Sequence, residues 1–384
     1  MIRTLTAFTE EADDPEIAVS QVLGQLNLEG GLLRNSVGVM SCSLDFMDEG
    51  VVAALCERLP FDVVGINTIG SAVSGGGGQI ILTLAVLTSD DVSFSAGVSG
   101  SILPDYEKSL SDLYEDTVAG LGDSPKLMLV FAPMTHSVAS DYFVDILDSI
   151  SGGVPMFGFV ACDFTVSFRR PLVMFNGRTY ADAVGVIMMS GDVRPRFTMT
   201  SIPGDKMLKR KAVITKSSGN VLMEVNGAPA IEYMKSLGLV KNGGIEGAES
   251  IPMIVDYNDG NPPVARVVSL LTPEGYVVLG GAAPVNCTIG IGVLDFDDVV
   301  GTASEMADEA GSSDYDFLLV ASCMTRNFIL GFDCHIEMES VRSRLREDAP
   351  FLFTYAGGEI CPVKSKDGRF LNRYHNLTLV SCAI

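Results

Sequence analysis

The stretch YAGGEICPVKSKDGRFLNRYHNLTLVSCAI, residues 355–384, closes the chain and says most about its fold. An apolar run, PFLFTYA (350–356), leads into it and stops at Gly357-Gly358. A basic loop then joins an alternating tail that ends in LTLVSCAI, so the pattern predicts strand, turn and strand. Two glycines after a β-rich run suit a backbone bend or a close approach to a ligand, since neither carries a Cβ. The pattern therefore predicts that Glu359 lies at a strand end beside a bend.

The same order of elements occurs three times along the chain, which predicts three structurally similar copies. The copies cover residues 1–92, 93–200 and 287–384, and each has the predicted order β-α-β-α-β-β. The strands LMLVFAP in the second copy and FLLVASCM in the third are predicted to be equivalent. A strand-rich segment, 205–286, lies between the second and third copies, and a Ser-Gly-Asn turn signal at 218–220 predicts a hairpin in it.

Fold class follows from the mixture of elements. Helices alternate with β-branched strands, but each copy ends in hairpin-like strands, so a purely parallel sheet is disfavoured. We therefore predict an α+β (mixed α/β) fold with mixed sheets flanked by helices. Many strands are apolar throughout, which is compatible with a four-layer α/β/β/α sandwich of two facing sheets.

Composition excludes several classes of partner. The 384-residue chain has a formal net charge of -22, and an acidic surface does not release counterions from nucleic acid or attract anionic membranes. No apolar run approaches the ~18 residues of a membrane span, and the acidic start is unlike a secretory signal. The eight cysteines show no CxxC spacing, which indicates reduced thiols. We expect a cytoplasmic protein.

Four short motifs occur in the second half of the chain. A GEI-P element is formed by Gly358, Glu359, Ile360 and Pro362, and a later HN-T element by His375, Asn376 and Thr378. A gN-x-x-x-E-x-n-G-x-PA pattern is formed by Gly219, Asn220, Glu224, Asn226, Gly227, Pro229 and Ala230, and a C-x-x-R element by Cys323 and Arg326. In these motifs the chain resembles the FIST domain family (F-box and intracellular signal transduction), whose C-terminal half typically carries the GEI-P and HN-T elements.

This resemblance covers most of the chain and is strongest from Ala212 to Ile384. It implies a FIST N-terminal-like domain at 1–204 and a FIST C-terminal-like domain at 205–384. It also implies a sensory domain of signal transduction that binds small ligands, amino acids among them. The sequence shows no output module, so signalling is expected to pass to a separate partner protein.

The candidate site gathers polar residues at strand ends of the third copy, because ligands collect where strands leave a sheet. Arg326 suits a carboxylate or phosphate, Glu359 an amino group, and His375 and Asn376 directional hydrogen bonds. A small zwitterion such as an amino acid fits these groups. The predicted ligand-binding residues are Ser322, Cys323, Arg326, Gly358, Glu359, His375 and Asn376.

The same residues are compatible with other roles. Glu359 and His375 can instead pair structurally across the bend. A cysteine-dependent hydrolase or transferase would use Cys323 activated by His375, and a protein-interaction scaffold is a further alternative. We expect binding without catalysis, and no cofactor.

Two further sequence features are weak as ligand sites. Cys334 and His335 with Glu337 and Glu339 form no tetrahedral set, so no metal site is predicted. The glycine run 75–78 lacks the lysine and following helix of a phosphate loop, and we expect it to be a flexible connector.

Overall fold

A computed structural model describes residues 1–135, 139–164, 170–207, 211–240, 251–312 and 314–384. Its first half contains β1 (Arg3–Thr9), α1 (Pro15–Leu26), α2 (Leu28–Gly31), β2 (Asn35–Cys42), α3 (Leu44–Asp48), α4 (Val51–Cys56), β3 (Val63–Asn67), β4 (Ser71–Val73), β5 (Gly76–Gly78), β6 (Leu82–Ser89), β7 (Ser93–Val98), α5 (Tyr106–Ala119), β8 (Leu127–Ala132), α6 (Ser140–Ser151), β9 (Met156–Val160), β10 (Val173–Phe175), β11 (Arg178–Tyr180), β12 (Gly185–Ser190) and β13 (Arg196–Thr200).

The second half begins with a 3₁₀ turn at Gly204–Lys206. It continues with β14 (Ala212–Ser218), β15 (Val221–Val225), β16 (Ala228–Pro229), α7 (Ala230–Ser236), β17 (Met253–Asp256), β18 (Val264–Arg266), β19 (Val268–Leu271), β20 (Val277–Leu279), β21 (Thr288–Ile291), α8 (Phe296–Gly311), β22 (Leu318–Cys323), α9 (Met324–Ile329), α10 (Cys334–Arg342), β23 (Phe351–Ala356), β24 (Glu359–Lys364), β25 (Phe370–His375) and β26 (Leu379–Ala383).

Three six-stranded sheets share one strand order. The first sheet is β1-β6-β2-β3-β10-β11, the second β7-β12-β8-β9-β24-β25 and the third β13-β26-β22-β23-β4-β5. In each sheet the third and fourth strands are parallel to each other, as β2 is to β3, β8 to β9 and β22 to β23. The strands LMLVFAP and FLLVASCM, which became β8 and β22, therefore occupy equivalent positions.

The terminal hairpins are exchanged between the sheets. Hairpin β4-β5 pairs with β23 in the third sheet, β10-β11 with β3 in the first, and β24-β25 with β9 in the second. Each unit therefore donates a hairpin to a neighbouring sheet, and the three donations form a closed ring. This exchange ties the units together by backbone hydrogen bonds as well as by packing.

The third unit is discontinuous, which differs from the predicted range 287–384. Its first strand is β13, which pairs with β26. The strand at the start of the predicted range, β21, pairs instead with β14 and β17 of the inserted segment. The insertion therefore follows β13 and runs up to α8, beyond the predicted range 205–286. Both strands precede α8 in the sequence, so local pattern does not show which of them joins the third sheet.

The inserted segment forms its own antiparallel sheet. Its strand order is β18-β17-β21-β14-β15-β20-β19, with β16 paired to β15. The predicted hairpin with a turn near Gly219 is confirmed by β14 and β15. Asn176-Gly177, a pair typical of two-residue hairpin turns, joins β10 to β11, and both residues have positive φ, 48° and 80°.

One apolar core lies between the three sheets. It contains side chains from all of them, for example Val39, Phe131 and Leu319, and each sheet covers its outer face with its own helices. Burying a side chain of this size contributes roughly 1.5–3 kcal/mol. The mixed α+β class is confirmed, with 26% helix and 36% strand. The suggested two-sheet, four-layer sandwich is wrong, because three sheets enclose the core.

Local sequence explains where the helices begin. Asp14 accepts hydrogen bonds from the backbone N–H groups of Glu16 and Ile17, and Pro15 occupies the first turn of α1.

The glycine run is not a flexible connector, since Gly76–Gly78 forms edge strand β5. A Cβ on Gly76 would lie 2.6 Å from the ring of Phe8, so glycine lets this strand pack against the aromatic ring.

Candidate ligand-binding site

The predicted site residues lie where the last hairpin crosses from the third sheet to the second. Strand β22 ends at Cys323 and continues directly into α9, which carries Arg326. Strand β23 ends beside it, and after Gly357-Gly358 the chain enters β24 in the second sheet at Glu359. The predicted residues are therefore brought together from two sheets and a short helix.

Arg326 is fully buried and already has a charged partner. Its Nε donates to Oε1 of Glu337 at 2.7 Å, and its Nη2 donates to the carbonyl of Val299 and to the Thr302 hydroxyl. The other oxygen of Glu337 accepts the Ser322 hydroxyl at 2.8 Å. The sequence suggested that the guanidinium is free to bind a ligand carboxylate, but protein groups already occupy most of its donors. Of its nitrogens, only Nη1 has no hydrogen-bond partner.

Glu337 is a site residue that the sequence hypothesis missed in this role. The sequence indicates it only as a weak candidate metal ligand with Cys334, His335 and Glu339. On α10 it faces inward with Cys334 and is completely buried, whereas His335 and Glu339 are exposed. Within the described residues, no group of three or more potential ligands could hold a metal ion.

Glu359 is the second fully buried carboxyl group of the site. Its Oε2 accepts hydrogen bonds from the Thr378 hydroxyl at 2.6 Å and from the Thr378 backbone N–H at 3.3 Å, while Oε1 has no partner. Burial raises the pKa of this carboxyl well above its ordinary value, although Thr378 and Arg326 oppose the shift. Cys323 is its neighbour, and burial followed by the Glu359 charge raises the pKa of that thiol.

His375 lies directly opposite Glu359 in the antiparallel pair β24-β25. The imidazole Nε2, however, lies 2.9 Å from the carbonyl oxygen of Cys361 and donates to it. Burial lowers the pKa of His375 to about 4, so the ring is neutral at neutral pH. The structure thus shows the two residues as register partners without a mutual hydrogen bond among the described contacts.

A pH dependence follows from His375. Its ordinary pKa of 6.5 falls to about 4 in the fold, so between these pH values the unfolded chain binds more protons. Stability should therefore fall as pH is lowered from 6.5 to 4, by about 3 kcal/mol from this group alone. Urea unfolding of the wild type and of His375→Gln across this pH range isolates the contribution of His375 to stability. The raised pKa of Glu359 changes stability in the opposite direction, but it does so equally in both proteins. A stability difference between them that is independent of pH would contradict the assignment.

Asn376 and Gly358 meet at the hydroxyl of Tyr374. The Asn376 amide nitrogen donates to this hydroxyl at 3.0 Å, and the Asn376 oxygen has no partner. A Cβ on Gly358 would lie 2.1 Å from the same hydroxyl, and one on Gly357 would lie 2.3 Å from the Met134 methyl. The side chains of Tyr374 and Met134 therefore pack directly against the backbone of the paired glycines. The sequence had suggested that a ligand makes this close approach.

These groups form what we call the buried polar cluster. Its members are Ser322, Cys323, Arg326, Asn327, Glu337, Tyr355, Glu359, Asn376 and Thr378. Asn327 and the Tyr355 hydroxyl lie beside Glu337, and neither side chain forms a well-directed hydrogen bond. All nine residues are at least nine-tenths buried, so within the described part of the chain none of them is open to solvent. Their role in ligand binding stays a prediction.

A surface cleft of about 350 Å³ lies next to the cluster, between α6, the inserted sheet and β25. Its lining includes Asp141, Asp145, Tyr257, Asp259, Arg373 and Tyr374. We refer to it as the cleft.

A second buried ion pair lies beside the cleft, and its carboxylate partner Asp141 lines the cleft. The Nη2 of fully buried Arg266 donates to Asp141 at 2.6 Å and to the Tyr257 hydroxyl at 2.9 Å, and its Nη1 donates to the Tyr374 carbonyl at 2.9 Å. A Cβ on Gly281 would lie within 2.7 Å of both Arg266 and Asp141. The sequence hypothesis missed this pair, although a lone arginine in an apolar strand and the Gly280-Gly281 pair were signals for it.

Comparisons with known proteins agree with the motifs. Residues 36–228 match the family model of the FIST N domain, and residues 229–362 match that of the FIST C domain. A solved cyanuric acid hydrolase, described as evolutionary innovation by structural concatenation, is 10% identical with a TM-score of 0.38, covering 100% of this chain and 98% of that one. The cyanuric acid hydrolase from A. caulinodans is 8% identical with a TM-score of 0.28, covering 50% and 72%. Likeness at this level does not extend to a substrate or a reaction. No curated protein matches the chain.

Proposed function

The chain belongs to the FIST family, whose domains are sensory domains of signal transduction, and from this premise we propose that it binds an amino acid or a related small metabolite in the buried polar cluster. The response would pass to a separate partner protein. We further propose that it acts in the cytoplasm, which agrees with eight free cysteines.

The observation that carries this proposal is a set of polar atoms without partners. The unpartnered atoms are Nη1 of Arg326, both amide atoms of Asn327, Oε1 of Glu359 and Oδ1 of Asn376, all on fully buried side chains. Buried polar groups in folded proteins are almost always hydrogen-bonded, and each exception requires a reason. Several exceptions within one cluster, at a junction between sheets, support a site for a polar ligand.

The chemistry of these atoms favours a zwitterion. Arg326 offers one N–H group at Nη1, which suits a ligand carboxylate, because its other nitrogens are held by Glu337, Val299 and Thr302. Glu359 and Asn376 offer acceptor oxygens, which suit an ammonium group. Arg326 and Glu337 neutralise each other, so Glu359 is the carboxyl group that remains to pair with a ligand ammonium once its proton is displaced.

Proton release provides a sharp test. Because the pKa of Glu359 is raised, an ammonium ligand that stabilises the ionised carboxylate should displace its proton on binding. A thermal-shift screen of the proteinogenic amino acids should identify a binder. Calorimetry in buffers of different ionisation enthalpy should then show a buffer-dependent binding enthalpy.

The matched variants are Glu359→Gln and Glu339→Gln, since both replace a carboxylate by an amide and Glu339 is exposed. Glu359→Gln should weaken binding by about 1.5–3 kcal/mol, the range for a charge-assisted hydrogen bond, and should abolish proton release. Glu339→Gln should bind like the wild type. If no amino acid or related metabolite stabilises the protein, the proposed ligand class is wrong.

We propose binding without turnover, and the geometry around Cys323 supports this. A nucleophilic cysteine needs a lowered pKa or an adjacent base, whereas burial raises the pKa of the Cys323 thiol and His375 donates to a backbone carbonyl. Cys323→Ala should therefore retain the ligand-induced thermal shift. Turnover of an amide, ester or thioester that disappears in this variant would favour the hydrolase alternative.

A further inference from the structure

We propose that the cleft is the entrance to the buried polar cluster, and that the Tyr374 side chain is the partition between them. The inference rests on the proposed function for what enters, while the geometry of the partition stands independently. In this inference the Tyr374 side chain controls access to the site.

Tyr374 belongs to both spaces. It lines the cleft, yet its side chain is almost completely buried and its hydroxyl accepts a hydrogen bond from Asn376 of the cluster. Its charge environment includes Asp141 on the cleft side and Glu359 and Cys323 on the cluster side. One phenol ring therefore separates solvent in the cleft from the unpartnered atoms of Glu359 and Asn376.

Close packing holds the ring in this position. The Arg266 guanidinium lies 5.5 Å from the ring centroid on one side, and the Tyr374 hydroxyl lies against the backbone of Gly358 on the other. Gly280 of the inserted segment packs against the Asn376 side chain, where a Cβ would lie 2.6 Å from the amide oxygen. Glycine at 280 and 358 thus lets the partition and its support close tightly around the cluster.

The lining of the cleft suits a ligand with a cationic end. Asp145 and Asp259 face the cleft together with Asp141, against Arg373, which is bonded to Asp259 at 3.0 Å. Partial desolvation, followed by the charge of Asp141, raises the pKa of Asp145. A cationic ligand would relieve this repulsion, so the entrance favours the same ammonium group that Glu359 would receive.

Thiol labelling tests the partition without knowledge of the ligand. Cys323 lies inside the cluster, Cys287 lies at the cleft, and Cys42 lies in the apolar core of the first sheet. Methyl methanethiosulfonate would be reacted with the intact protein, and each cysteine followed by peptide mass spectrometry. Tyr374→Ala should accelerate modification of Cys323 by about tenfold or more, because access no longer requires local opening.

Tyr106→Ala is the matched control, because Tyr106 also packs against the core beneath α5 and α6 but does not line the cleft. It should leave Cys323 as slow as in the wild type, and Cys42 should stay slow in both variants. If Tyr374→Ala does not fold, Gly358→Ala keeps the ring and displaces the hydroxyl, and should also accelerate Cys323. An unchanged Cys323 rate, or equal acceleration of Cys42, would overturn the partition.

The outcome separates this inference from the proposed function. Accelerated labelling of Cys323 combined with no amino acid binding would retain the entrance and reject the ligand class. Amino acid binding that is unaffected in rate by Tyr374→Ala, with Cys323 still protected, would retain the ligand class and reject the entrance.

Discussion

Replacing Glu337 by alanine should destabilise the protein by about 3–5 kcal/mol, the usual cost of leaving one partner of a buried ion pair without its counter-charge. The Arg326 charge would then have no compensation, because its side chain has no contact with solvent and Glu337 is its only carboxylate partner among the described hydrogen bonds. The Ser322 hydroxyl would lose its acceptor in the same variant. Urea unfolding measures the change.

Glu339→Ala is the control on the same helix, since Glu339 is exposed, and it should change stability by no more than about 0.5 kcal/mol. The double variant Arg326→Met with Glu337→Leu should recover much of the loss, because it removes both charges and keeps the volume filled. If Glu337→Ala costs no more than Glu339→Ala, the ion pair does not stabilise the fold as its geometry indicates.

The alternation of strands and helices could be predicted because the local spacing of apolar residues differs between the two. Strands such as β8 and β22 are apolar throughout and are flanked by amphipathic helices, so their equivalence followed from the pattern alone. The exchange of hairpins could not be predicted in this way. A hairpin such as β24-β25 has the same local pattern whichever sheet it joins, and its partner β9 lies some 200 residues earlier in the chain.

The pattern of strands predicted which strand ends come together, but not the chemistry of the residues there. Polar residues at strand ends of the third unit do meet, because parallel strands β22 and β23 end at the same edge. The partner of Arg326 was not predictable, because Glu337 lies on a different helix and helical spacing does not relate the two. The same limit applies to Arg266, whose partner Asp141 belongs to another unit and is 125 residues away in the chain.

Replacing Asp141 by asparagine should also destabilise the protein by about 3–5 kcal/mol, because Arg266 would keep its charge in a fully buried position without a carboxylate. This pair joins β18 of the inserted sheet to α6 of the second unit, and Asp141 also accepts from the Ala282 backbone at 2.5 Å. The loss should therefore be greatest where the insertion meets α6. Relative to the wild type, hydrogen exchange should show a larger increase in amide exchange rate in β17 and β18 than in β8.

Asp145→Asn is the matched control, because it makes the same chemical change one turn further along α6. Asp145 has a raised pKa from partial desolvation and from Asp141, so its ionised form is disfavoured in the fold and removing its charge should be neutral or slightly stabilising. Equal destabilisation by both variants would show that general disturbance of α6, and not the charge on Arg266, is responsible. A large effect of Asp141→Asn with no effect of Asp145→Asn would instead mean that the buried pair of Arg266 and Asp141 holds the insertion onto the second unit.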